Sequence, residues 1–233
     1  MIRWIALLMI LCLVPCFAAA EEPALLDGML AAVAERYPLT EREGNELSDF
    51  EANGMAFHVT SYDAAGLGFV SAMTAKDPTG RTVMDTLVVN PFEVDAPMLS
   101  FDGIYVGGSM LMTEVYDTLL EKGFSAESLE AAAPAPTVAE AEGTAYWYDD
   151  ILLFSWKGEE NADALTCLKA YLEETAKAPA CDAAAKKQAA AAYTENLLAQ
   201  GGIATDMIRA AIGEEKTAAL LRELVFGTGE PEE

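Results

Sequence analysis

A single histidine, His58, serves the whole chain of 233 residues. A His-based metal centre would have one imidazole to draw on. Cysteine is scarce too, with four in all. There is no G-x-S-x-G nucleophile elbow, and Gly66-Leu67-Gly68 is an isolated G-x-G rather than a phosphate loop. Bases are few: 14 Lys and Arg stand against 38 Asp and Glu, a formal net charge of −24. A field of that sign repels nucleic acid, anionic membranes and acidic protein partners, and keeps the chain soluble. Chemistry on this chain therefore rests on carboxylates, tyrosines or a cofactor brought in from outside.

What is present begins with a leader. Met1-Ile2-Arg3 is a short basic start, Trp4 to Phe17 is uncharged and mostly apolar, and Ala18-Ala19-Ala20 supplies the small residues a signal peptidase reads. The apolar run is too short to span a membrane, which takes about 20 residues. Residues 1–20 are expected to be a cleaved signal peptide, and 21–233 a single exported domain, secreted or held at the cell envelope. Loss of Arg3 takes the net charge from −24 to about −25. The alternative, lipid attachment at Cys16, has Pro15 where a lipobox has a small residue. Cys12 and Cys16 leave with the leader, and Cys167 and Cys181 remain, as one disulfide or as an unpaired buried pair. Two thiols and one imidazole do not complete a metal site, so none is expected.

The whole chain is 52% hydrophobic, enough to build a core. Leu25, Leu26, Met29, Leu30 and Val33 recur at helical spacing and predict a helix over 23–37, stopped by Pro38. Residues 39–53 are acidic and polar and read as a connection or a poor helix. Strands are predicted at Met55–Tyr62, Gly68–Thr74 and Arg81–Val89, the last two joined by an Asp77-Pro78-Thr79-Gly80 turn. Two more, Met98–Val106 and Met110–Tyr116, flank a Gly107-Gly108-Ser109 hairpin. A surface loop with a short helix at Ser125–Ala131 precedes a long aromatic strand, Tyr146–Trp156. Helices follow at Asn161–Lys177, Asp182–Ala199 and Ile203–Phe226, the last broken near Gly213. The plan is α+β: a three-layer α/β/α sandwich with a central, mostly antiparallel sheet of about six strands and C-terminal helices.

Asp102 stands inside an otherwise apolar strand. Alternation puts Leu99, Phe101 and Gly103 on one face and Met98, Ser100, Asp102 and Ile104 on the other. An aspartate in such a place is hydrogen-bonded, paired or held protonated, because a bare buried charge costs several kcal/mol. A neutral carboxylic acid in an apolar site can donate a proton to a substrate. The plain alternative is a solvated aspartate on the outer face of an edge strand. His58, in an alternating β run, is more ordinarily a packed strand residue than a catalyst.

The segment Asp95-x-Pro97-x-x-x-x-Asp102, following Pro91, resembles the central motif of the ferredoxin-dependent bilin reductases, to which red chlorophyll catabolite reductases are related. Tyr193, Gly213-Glu214 and Leu224-Val225-Phe226 resemble that family's C-terminal helical signature. The resemblance implies a three-layer sandwich that reduces or binds a linear tetrapyrrole between sheet and C-terminal helices. It implies Asp102 as the proton donor and Asp85, which stands where some members carry a histidine, orienting the pyrrole nitrogens or a bound water. Asp95, Pro97, Asp206 and His58 are the residues expected around the substrate, Asp206 lying nearest to a further family aspartate. No cofactor is implied, since the pigment itself accepts the electrons. The donor is open, because ferredoxin is acidic and a chain at about −25 repels it. Two other readings stand beside this one: a non-enzymatic exported binder of a tetrapyrrole or other flat apolar ligand, and an exported α+β protein with a filled core and an exposed Asp102.

Overall fold

The computed structural model describes residues 24–107, 109–116, 118, 137–138, 151–157 and 161–229. The expected leader, the expected helix at 125–131 and the first half of the expected strand at 146–156 lie outside the described residues.

Helix α1 (Ala24–Arg36) forms on the predicted spacing, with Leu25, Leu26, Met29 and Val33 buried. Strands follow as β1 (Leu39–Glu41), β2 (Asp49–Ala52), β3 (Met55–Ala64), β4 (Gly68–Lys76), β5 (Thr82–Asn90), β6 (Met98–Val106), β7 (Ser109–Tyr116), β8 (Thr137–Val138) and β9 (Ile151–Lys157). They form one antiparallel sheet in the order β1-β3-β4-β5-β6-β7-β9-β8, with β2 also on β3. The sheet thus has nine strands among the described residues rather than about six. The additions are the short strands β1, β2 and β8. Residues 39–41 and 49–52, read from sequence as a connection or poor helix, are edge strands held by the ten-residue β3.

Local chemistry sets the turns. Asp77 accepts hydrogen bonds from the backbone N–H groups of Thr79, Arg81 and Thr82 and from the Thr79 hydroxyl, which fixes the β4–β5 hairpin. These bonds hold its carboxyl well below the usual range. Gly107, at φ 63°, takes the left-handed conformation that turns β6 into β7.

Two helical layers cover the sheet. On one face α1 and α2 (Asn161–Thr175) pack on Val70, Leu87, Leu99, Phe101 and Leu111. On the other lie α3 (Ala183–Gln200), α4 (Ile203–Ile212), α5 (Glu214–Ala219) and the π-helical turn Leu220–Val225. Asp182 caps α3 by accepting from Ala184 and Ala185 N–H. This second layer packs on Phe57, Val59, Val88 and Met98. Its end is fastened to the sheet by hydrogen bonds from Ser71 Oγ to Val225 O (2.7 Å) and from Asn90 Nδ2 to Phe226 O (2.9 Å). Tyr193 of α3 packs its ring 4.6 Å from Tyr116 and 5.4 Å from Phe226. The fold is the expected three-layer sandwich. Cys167 is a free thiol in the α1/α2 core and Cys181 a free thiol before α3, so the disulfide does not form.

Candidate functional site

Register decides which side chains meet. Across the sheet, Val59, Met73, Thr86 and Asp102 occupy one rung, and His58, Thr74, Asp85 and Gly103 the next. Adjacent rungs point to opposite faces. Asp102 therefore faces the C-terminal layer and Asp85 faces α1 and α2. The two carboxylates expected to work together are back to back and cannot share a ligand.

Asp102 is in β6, flanked by β5 and β7 on both sides, so it is not an edge residue. Along its face of β6 the cover thins steadily. Met98 is 0% exposed, Ser100 8%, Asp102 and Ile104 half-buried, and Val106 60%. Exposure thus rises along β6 toward Val106, while on the neighbouring β5 Met84, opposite Ile104, still packs against the C-terminal core. Around Asp102 lie Thr86 and Met84 of β5 and Met73 of β4, all half-buried, the two methionines packed against the C-terminal core. Asp102 Oδ1 accepts a hydrogen bond from Thr86 Oγ1 at 2.6 Å. Burial raises its pKa, and the Thr86 bond offsets this in part. A carboxyl that favours its proton, beside a polarisable apolar floor, can protonate a flat apolar molecule laid on it.

Asp85 sits differently. It is 2% exposed, with Oδ1 accepting from Thr74 Oγ1 at 2.8 Å and no hydrogen-bond partner for Oδ2. Burial pushes its pKa up to about 6 against the opposing effects of Thr74 and Lys76. The Tyr105 ring folds over Gly103 on this face, where a Cβ at Gly103 would meet Tyr105 Oη at 2.9 Å. Its phenol is pushed up to about 12, first by burial and then by Asp85. This is sealed interior, not a ligand surface.

The other expected residues are dispersed. Asp95 and Pro97 are buried in the β5–β6 connection. Asp95 N–H donates to Pro179 O, and Lys186 Nζ of α3 stands 4.0 Å from its carboxylate while donating to Thr118 O at 2.8 Å. Pro97 O accepts from Tyr171 of α2 at 2.6 Å. These two residues of the motif tie the connection to both helical layers. Asp206, at the start of α4, is exposed and paired with Arg209 at 2.7 Å. His58 is also exposed, 2.8 Å from Asp49, on the face opposite Asp102. It is neither a packed strand residue nor a neighbour of Asp102. Sequence reading missed Thr86, Met73 and Met84, whose places beside Asp102 follow from register alone. Among the described residues no cluster of three His, Cys, Asp or Glu could hold a metal, and no helix is long and apolar enough to cross a membrane.

The class defined by this architecture is an α/β/α sandwich with an antiparallel centre and an acid at the margin of its C-terminal cover. No protein-family model and no curated protein matches the chain. Among solved structures it is similar to the crystal structure of selenomethionine phytochromobilin synthase from tomato in complex with biliverdin. The TM-score is 0.60 with 12% identity, over 88% of this chain and 82% of that one. The relationship is one of fold, and distant.

Proposed function

We propose that the protein binds a linear tetrapyrrole between the sheet and the C-terminal helices, with Asp102 giving a proton to the bound pigment. The observation that carries this reading is the half-buried Asp102 at the margin of the helical cover, beside Met73, Met84 and Ile104. A flat apolar ligand there would continue the packing that the helices begin. The fold shared with a biliverdin-bound phytochromobilin synthase supports the choice of pigment. Residues 1–20 fit a signal peptide, which would set the protein to work outside the cytoplasm. Electrons for a reduction would then come from a donor other than an acidic ferredoxin.

A purely binding role has its own support. Asp85 faces the other side of the sheet, and Asp63, the other described carboxylate that β3–β6 turn toward the C-terminal layer, lies three strands from Asp102 in the rung of Phe69, 3.7 Å from Arg42. Capture of the pigment needs the floor but not a second acid.

The test is a visible absorption titration with biliverdin and bilirubin, repeated with Asp102→Asn. A saturable shift at micromolar pigment is expected. Asp102→Asn should retain the site and lose the protonated-pigment band if Asp102 is the donor, and leave the spectrum unchanged if the role is binding alone. No shift with either pigment well above micromolar would end both tetrapyrrole readings.

A further inference from the structure

Where the β1–β2 turn, β3, α3 and the segment after the π-helical turn meet, the chain leaves a cavity of about 230 Å³. Ser61, on its wall, lies in the rung of Ser100, three strands from β6. At ~4.8 Å per strand that is about 14 Å, so the cavity is separate from Asp102. Its walls carry both signs of charge, Arg42 and Lys187 with Glu43 and Glu223. Arg42 is held in place. Its backbone N–H donates to Ser61 O at 2.9 Å and its Nη1 to Glu223 O at 3.4 Å. Its guanidinium stands 5.5 Å from the Phe69 ring centroid, with Asp63 3.7 Å from Nε. The fork keeps further N–H donors for a ligand. The turn that follows is braced as well. Ser48 Oγ accepts from Asn45 N–H at 3.0 Å, Asn45 Oδ1 accepts from Leu47 N–H at 2.8 Å, and Asn45 Nδ2 donates to Glu223 Oε2 at 3.2 Å. These bonds pre-form the wall, so little ordering is left to a binding event. Lys187 and Glu43 differ: among the described residues neither has a hydrogen-bond or ion-pair partner. No side chain at Gly229 fills the space, and a Cβ there would lie 3.7 Å from Lys187 Nζ.

An anion drawn to Arg42 and Lys187 also meets Glu43, Glu223 and nearby Asp63, in a chain of net charge −24. A cation drawn to the carboxylates meets the two bases. A molecule with both charges on adjacent carbons can face each group with its opposite. The volume falls below the roughly 300–1,000 Å³ of sites for drug-sized ligands, which limits the occupant to a small molecule. We infer that this cavity binds a small zwitterion, a free α-amino acid, with its carboxylate against Arg42 and Lys187 and its ammonium against Glu43 and Glu223. Arg42 supplies the planar fork that suits a carboxylate, and Lys187 and Glu43 gain the partners they lack. The buried Ser61 and Leu224 also line the cavity, which suits a short side chain. The site stands independently of the tetrapyrrole reading.

The experiment is isothermal titration calorimetry of the purified protein with glycine, L-alanine and L-serine at ~10 mM salt, where screening is weak. The tightest binder is then compared with its N-acetyl form, which lacks the ammonium, and its amide, which lacks the carboxylate. At least one amino acid is expected to bind saturably at millimolar concentration or below, and each blocked form at least about tenfold more weakly. Lys187→Gln and Glu43→Gln should each weaken the amino acid about tenfold while leaving the unfolding midpoint in place, since both side chains are exposed. Asp102→Asn should leave amino-acid binding unchanged. Absence of binding by all three amino acids would overturn the inference. An N-acetyl form that binds as well as the free amino acid would overturn it in favour of a plain anion site, and an equally tight amide in favour of a cation site. Undiminished binding in both Lys187→Gln and Glu43→Gln would overturn it too, by placing the amino acid elsewhere on the protein.

Discussion

Replacing Asp85 by asparagine should flatten the pH dependence of unfolding between about pH 4 and pH 7. In the folded protein the Asp85 carboxyl titrates at about 6, because it is 2% exposed and only one of its oxygens is hydrogen-bonded. In the unfolded chain an aspartate titrates near ~3.9. At pH 5 the native state therefore holds a proton that the unfolded state has released, and stability falls as pH rises. The effect is absent below the unfolded value and complete above the folded one. Two pKa units at about 1.4 kcal/mol each give about 3 kcal/mol. Asparagine keeps the acceptor for Thr74 and never ionises. Urea unfolding followed by circular dichroism at pH 4.5, 5.5, 6.5 and 7.5 measures this directly. The variant's advantage should grow from about 1 kcal/mol at the lowest pH to about 3 kcal/mol at the highest, where it is roughly 1 M in the urea midpoint. A difference that stays constant across the series, or one in which the wild type gains with pH, would refute the reasoning.

Other perturbations probe the frame around the site. Lys186→Met removes the cation that stands 4.0 Å from buried Asp95, and should cost about 3–5 kcal/mol in thermal unfolding. A double variant with Asp95→Asn should recover much of that loss, the coupling being read from a double-mutant cycle. Gly227→Ala should destabilise by more than about 1 kcal/mol, because φ there is +66° and a Cβ would collide with the Phe69 ring. Tyr171→Phe removes the bond to Pro97 O and should cost about 1 kcal/mol in the same assay.

The long elements were legible in the sequence because each carries its own period. The leucines of α1 and the alternation of β3 to β6 announce helix and strand without help from the rest of the chain. Leu39–Glu41 and Asp49–Ala52 do not, since their residues are mostly polar and exposed and only their pairing with β3 makes them strands. The placement of Asp85 was illegible for a different reason. Strands β5 and β6 are joined by seven residues, 91–97, whose path sets the register. Thr86 pairs with Asp102, so odd residues of β5 share a face with odd residues of β6. A slip of one residue would have put Asp85 beside Asp102 instead. Nothing in the composition of Pro91–Pro97 states which of the two parities the fold adopts.

The same register separates what the motif does for stability from what it offers to a ligand. Asp95 and Pro97 sit where both helical layers close on the sheet, and their partners Lys186 and Tyr171 come one from each layer. Asp102 lies two residues beyond Ser100 in the direction of Val106, along which the exposure of β6 rises. The connection thus anchors the buried end of β6, and the exposed end at Val106 lies farthest from those ties. Substitutions at 95, 97, 171 or 186 should move unfolding midpoints, whereas Thr86→Val or Asp102→Asn should move ligand spectra with little effect on unfolding. An Asp102→Asn variant that lost as much stability as Lys186→Met would mean that Asp102 is a structural residue, and the candidate site would lose its chemistry.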